Sequence, residues 1–279
     1  MTEKWLIAPG EERVIDIDTA TRLKVSLVGG QVDVIAHDEP GIRIEVHGVT
    51  IKDLRVESNG GQVEIDHPQL GWDNFLEVFR NFGSGGPKAE MSIAVPRAIA
   101  LNLGVVSAGA LVSGIRNDAR LNTVSGDIIV DTLIGDLTVN SVSGDVQVRG
   151  LTGIVTANSV SGDIAVTGAV RRAVVDTVSG SILVDAAGDV NSINLNTVAG
   201  ASTIRLDESL AANYVVRSLS GRLLIDGVER SSSGPSNYSG SAGELAGRFV
   251  DVKANSVSGG ITVLRRTTTT VADDAEWES

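Results

Sequence analysis

The sequence contains no cysteine in 279 residues. That excludes disulfide staples, thiolate metal sites and cysteine nucleophiles, and it is compatible with an oxidising or a reducing compartment. Aromatic residues make up only 3% of the chain, so any core must be built from Val, Ile, Leu and Ala. Basic residues are in deficit: 23 Lys and Arg against 35 Asp and Glu leave a net charge of −12. Nucleic acid and anionic membrane surfaces are poor partners for such a chain, because both are held by clustered Lys and Arg. Also missing are a Gly-x-Ser-x-Gly elbow, a phosphate-loop lysine and a His-Glu-x-x-His motif. His37, His47 and His67 have no spacing that fixes a ligand set, so they are expected at the surface. Met1 to Gly10 lacks the apolar core of a secretion signal, which favours a cytoplasmic location and leaves the cell surface open.

What is present is a repeat. Thr123-Val-Ser-Gly-Asp127 returns as Ser141-Val-Ser-Gly-Asp145, Ser159-Val-Ser-Gly-Asp163 and Thr177-Val-Ser-Gly-Ser181. The turn serines Ser125, Ser143, Ser161 and Ser179 are equally spaced, so the period is constant. A weaker echo lies halfway through each period, as in Thr132-Leu-Ile-Gly-Asp136. A fixed period of this length identifies a stacked, quasi-one-dimensional architecture. The one long uncharged run, Ala98 to Ile115, reaches the length of a short membrane span. Ser107 precedes Ser125 by the same period, however, so the run is expected to be a coil of the array.

Four regions follow. Residues 1–66 read as short alternating strands, expected to be degenerate coils; Gly-Gly-Gln-Val occurs at 29–32 and again at 60–63. Residues 67–90 form an insert in which Trp72, Phe75, Leu76 and Phe79 lie at helical spacing, with Phe82 extending the stripe before a Gly-rich stop. Such a short helix would cover the flank of the array or dock a partner, which makes Trp72, Phe75, Phe79 and Phe82 a candidate partner surface. Residues 91–264 carry the regular array, interrupted at 229–247 by a Ser- and Gly-rich stretch expected to be a flexible loop. From 265 to 279 the chain reads as a disordered acidic tail.

Within the array, apolar positions alternate with polar ones on both sides of the turn, which predicts strands with one buried face. These strands are expected to pair in parallel with their counterparts in the next coil, with a right-handed bias to the connection. Two polar columns stand out. Asn122, Asn140, Asn158, Asn196 and Asn255 are expected to bond along the axis as a ladder. Asp127, Asp145 and Asp163 would repel one another unless screened or bridged by a cation; turn closure through backbone N–H groups explains them without a metal.

The motif Asn-Ser/Thr-Val-Ser-Gly-Asp-Ile/Val-x-Val, together with Met91-Ser-Ile-Ala-Val-Pro96, resembles a bacterial β-strand-repeat family named for adhesins, a domain of unknown function. The resemblance covers roughly residues 20–265. It implies an all-β fold, a single-stranded right-handed parallel β-helix with one coil per repeat of the motif, and no established catalytic residues; the short helical insert at 72–82 departs from the family's pattern. The expected function is a non-catalytic scaffold or binding module for a protein or glycan, without cofactor or metal. The alternatives are a self-assembling solenoid, giving a homo-oligomer, and a polysaccharide-active β-helix enzyme, for which only fold analogy speaks.

Overall fold

The computed structural model describes residues 2–67, 86–230, 234–245 and 247–266. Among these residues the fold is all-β and solenoid-like, with no helix. The helical insert at 72–82 and most of the acidic tail lie outside the described residues.

The first strands are β1 (Thr2–Ile7), β2 (Arg13–Ile17), β3 (Arg22–Leu27), β4 (Gly29–His37), β5 (Ile42–Thr50), β6 (Leu54–Asn59) and β7 (Gln62–Asp66). The middle of the chain supplies β8 (Lys88–Pro96), β9 (Ala100–Val105), β10 (Gly109–Ser113), β11 (Ala119–Thr123), β12 (Ile128–Ile134), β13 (Leu137–Ser141), β14 (Val146–Ser159) and β15 (Ile164–Thr177). After them come β16 (Ile182–Ala186), β17 (Ser192–Thr197), β18 (Ser202–Asp207), β19 (Ala211–Ser218) and β20 (Leu223–Ile225). The last are β21 (Val228–Glu229), β22 (Ser236–Ala242), β23 (Phe249–Ser256) and β24 (Ile261–Arg266). The uncharged run at 98–115 is thus two strands, β9 and β10, and no helix among the described residues is long and apolar enough to cross a membrane.

Pairing follows the repeat. Leu121 stands beside Val139, Val139 beside Ala157, and Ala157 beside Val175, each parallel and one repeat period apart. Across the turn, Ile128, Val146, Ile164 and Ile182 form the equivalent row on a second face. β14 and β15 run through both faces, so the sheet is continuous around the coil. The inward rows join one aliphatic core that extends from Ile7 to Val263. The coil from Leu137 to Leu151 buries five such side chains, Leu137, Val139, Val146, Val148 and Leu151. At about 1.5–3 kcal/mol apiece this burial drives folding against chain entropy.

The two ends depart from simple stacking. At one end β3 and β4 lie between β7/β8 and β9/β10, all parallel, although β7 and β8 come later in the chain. At the other, β23 and β24 are inserted between β17/β18 and β19/β20. The outermost strands on both faces (β1, β2, β21 and β22) pair antiparallel with their neighbours. Residues 1–66 are therefore not uniformly degenerate coils: β3 and β4 join the parallel stack, whereas β5 and β6 pair antiparallel on both sides. The Gly-Gly-Gln-Val echo does not stack either, since Gln31 pairs with Glu90 and Gly109 while Gln62 pairs with Arg22. Part of the stretch expected as a flexible loop, Ser236–Ala242, is strand β22. Backbone pairing to the open edge of β19 orders this segment despite its polar composition.

Polar side chains close the inserted end. Tyr214 is buried, its hydroxyl donates to Asp226 Oδ2 at 2.8 Å, and Arg265 donates to the same hydroxyl. Burial, followed by the Asp226 bond, pushes the Tyr214 phenol above its ordinary range. Arg265 also donates to the Leu210 carbonyl at 2.5 Å.

His67 is fully buried, contrary to the surface position expected of all three histidines. Its Nδ1 lies 3.0 Å from the Asp53 carbonyl, which can only accept, so Nδ1 carries the proton. Nε2 has no hydrogen-bond partner among the described residues. Burial holds the imidazole below its usual pKa, with the Asp53 carbonyl and Asp66 opposing. The folded state therefore keeps His67 neutral while the unfolded chain takes up a proton near pH 6.5. Stability is expected to be full above that pH and to fall as pH drops below it, by up to about 1.4 kcal/mol per unit. Urea midpoints at pH 7.5 and 5.0 check this: His67→Gln should reduce the difference, and an equal difference in both proteins would count against it.

Candidate interaction surface

The repeated turn is one corner of each coil, and its residues have separate tasks. Thr123 Oγ1 accepts the Gly126 N–H at 3.0 Å, and its counterparts do the same: Ser159 to Gly162, Thr177 to Gly180, Ser218 to Gly221 and Ser256 to Gly259. These hydroxyls are buried, so each turn is closed from inside. Thr197 occupies the same column but its hydroxyl has no partner among the described residues. The turn serines point elsewhere. Ser125, Ser143, Ser161 and Ser179 each donate to a carbonyl one coil back, at 3.2, 3.0, 3.2 and 3.3 Å.

The glycines after those serines have a steric reason to be there. A Cβ on Gly144 would sit 2.0 Å from the Gly126 carbonyl oxygen, one on Gly162 2.1 Å from that of Gly144, and one on Gly180 2.0 Å from that of Gly162. Backbone approaches backbone along the whole column, leaving no room for a side chain.

The aspartate column ties coils together. Asp127 Oδ1 accepts the Asp145 N–H at 2.9 Å, Asp145 accepts that of Asp163 at 2.9 Å, and Asp163 accepts that of Ser181 at 2.7 Å. Each carboxylate thus caps the next coil's turn rather than its own, which revises the expectation of local closure. Asp118 does the same for Asp136 at the other crossing, 2.9 Å away, and this accounts for the half-period echo. The column borders a shallow groove of about 290 Å³. Among the described residues no group of three or more His, Cys, Asp or Glu is placed to hold a metal ion.

The asparagine column forms the expected ladder. Asn140 donates to Asn122, Asn158 to Asn140 and Asn255 to Asn196, each at 2.9 Å, and Asn196 donates to Asp176 at 2.6 Å. Every donor points one coil back. Asp176 stands beside Asn158 but has no N–H to give, so the ladder loses a rung there.

Between ladder and turn runs a column that the sequence reading passed over. Val142, Val160, Val178, Val198, Val257 and Leu219, in spatial order, are each between 43% and 56% exposed. Backbone hydrogen bonds at these residues link successive coils, through the N–H of Val142, Val178, Val198, Val257 and Leu219 and the carbonyl of Val160. The six are therefore spaced about 4.8 Å apart and form an apolar rail roughly 24 Å long. A groove of about 310 Å³ lies between this rail and the ladder near Asn196 and Val198. The signal was visible as an apolar residue before every turn serine. Composition alone assigns such residues to the core, and Val106 and Val124, at 1% and 5% exposure, do belong there, whereas the alternation of buried Leu137, Val139 and Ser141 turns Val142 outward. Trp72, Phe75, Phe79 and Phe82, the partner surface expected from aromatic spacing, lie outside the described residues.

Three solved structures are similar over nearly the whole chain. A candidate cell adhesion protein from Clostridium sporogenes is 12% identical, covers 95% of this chain and 100% of its own, and gives a TM-score of 0.23. A candidate adhesin from Bacteroides fragilis is 12% identical, with 91% and 97% covered and a TM-score of 0.47. A candidate lipid binding protein from Parabacteroides distasonis is 13% identical, with 92% and 97% covered and a TM-score of 0.44. No curated protein matches the sequence. The family model for the Toastrack DUF4097 domain, a domain of unknown function, matches residues 20–264, and the chain belongs to that family.

Proposed function

We propose that this chain is a non-catalytic binding module, a single-stranded right-handed parallel β-helix that presents its turn corner to an elongated protein or glycan partner. The observation that carries the reading is the exposed rail of Val142, Val160, Val178, Val198, Val257 and Leu219. Turn closure uses the Thr or Ser before it and the Gly after it, so nothing in the coil's own packing requires an apolar residue there. Contiguous exposed apolar surface marks interaction sites. The right hand follows from the bias of parallel connections. The polar columns support a binding role over a catalytic one, because the asparagines and aspartates are engaged in holding coils together. End-to-end self-assembly is disfavoured by the antiparallel strands at both ends, β22 being polar and β21 two residues long.

The test replaces Val160, Val178 and Val198 with serine. Surface substitutions of this kind change stability by less than about 0.5 kcal/mol each. Arrays of glycans and peptides probed with the tagged full chain should show signals that fall at least tenfold in the triple variant at unchanged melting temperature. Binding that survives the three changes would move the contact away from this corner.

A further inference from the structure

The crossing opposite the Ser-Gly corner carries a different chemistry at the N-terminal end of the stack. There Arg97 N–H donates to the His37 carbonyl at 3.1 Å, and Arg116 N–H donates to the Arg97 carbonyl at 2.6 Å. His37, Arg97 and Arg116 therefore occupy one column on three neighbouring coils, a basic column in a chain of net charge −12. It borders an open cavity of about 630 Å³, within the range of small-molecule sites. Ala20, Pro40, Pro96 and Ala98 give the lining its apolar part, and Thr19, Thr21, Asp38 and Glu39 share it.

Among the described residues one carboxylate is bonded to this column. Asp38 accepts from Arg97 Nε at 2.5 Å and from Nη2 at 3.4 Å, while its side chain is 82% exposed. The Arg97 guanidinium holds the Asp38 carboxyl below its usual range, and Arg116 adds to the effect from nearby. Arg116 itself is exposed and has no ion-paired carboxylate among the described residues. An exposed ion pair is worth little net free energy, so an incoming carboxylate can replace Asp38 at small cost. Guanidinium groups hold planar carboxylates in a bidentate manner, which suits Arg97 as it already bonds Asp38 through two nitrogens.

We propose that this cavity binds a small organic carboxylate, its head exchanging with Asp38 on Arg97 beside Arg116 and its apolar body resting on Ala20, Pro40, Pro96 and Ala98. The site is separate from the valine rail and stands or falls independently of it. Asp38 acts as an internal competitor that occupies Arg97 when no ligand is present.

Hexanoate, hexanol and inorganic phosphate serve as probes, titrated into the full chain at constant ionic strength and followed by calorimetry and by the amide resonances of Arg97 and Gly114. Saturable binding of hexanoate is expected, with none by hexanol. Arg116→Gln should weaken hexanoate at least tenfold. Asp38→Asn should tighten it severalfold, because the competitor is gone. A merely structural role for the Asp38–Arg97 pair predicts the reverse for Asp38→Asn, and weakened or unchanged binding there would overturn the proposal. So would hexanoate binding that ignores Arg116→Gln. Phosphate saturating as tightly as hexanoate would overturn the carboxylate assignment. The Val160, Val178 and Val198 serine variant should bind hexanoate normally.

Discussion

Replacing Gly144 with alanine is expected to destabilise the fold by about 3 kcal/mol or more, a large share of the net stability of an ordinary domain. The new Cβ would meet the Gly126 carbonyl oxygen at 2.0 Å and its carbonyl carbon at 2.7 Å. Those atoms are backbone held in the stack, so no rotamer change relieves the clash. Two coils must separate at the corner, and the Ser143 hydroxyl bond to Val124 and the Asp145 N–H bond to Asp127 lengthen with them. Gly48 is the control, because a Cβ there meets nothing within 4 Å. Urea unfolding should show a much lower midpoint for Gly144→Ala and a nearly unchanged one for Gly48→Ala. A Gly144→Ala protein within about 0.5 kcal/mol of the parent would mean that the coils are not packed as described.

The second large effect is expected at Asp185. Its side chain is 9% exposed and is bonded by two guanidiniums, Arg205 from β18 and Arg266 from β24, the latter at 2.6 Å. Arg266 also approaches Asp207 at 3.4 Å. One carboxylate on β16 thus fastens the inserted strand β24 across β18. Removing it leaves two cations beside each other without their shared partner. Breaking a buried pair costs about 3–5 kcal/mol, but Arg205 is half exposed and Arg266 one-third exposed, so solvent recovers part of this. Asp185→Ala is expected to cost about 2–3 kcal/mol. Amide exchange should quicken in β23 and β24 more than in β11 to β13. Uniform quickening along the whole stack would show that Asp185 does not fasten that end.

Much of the array was legible because its period is its geometry. Equal spacing puts Asn140 on Asn122 and Val139 on Leu121, and the structure pairs them so. Three things were not legible, each for a physical reason. Asp127 and its equivalents looked like local turn caps, since a one-dimensional string places a carboxylate nearest its own turn. The bond goes instead to the equivalent residue of the next coil. The exposure of the valine rail was hidden because apolarity in a repeat reads as core whichever way the side chain points. The order of coils at the ends was hidden because Thr197, Ser218 and Ser256 are interchangeable in their column, so the motif fixes register and not sequence of stacking. What decides that order is β22, which occupies the outer edge of β19 and leaves β23 the inner one.

That arrangement has a consequence for the newborn chain. A ribosome delivers β19 and β20 well before β23 and β24, yet neither early strand has its inner neighbour until the later pair emerges and slots into the gap. During translation those residues wait unpartnered along that edge, so a chaperone or slow elongation over this interval would guard against the early strands annealing directly onto β17 and β18 and shutting the late ones out.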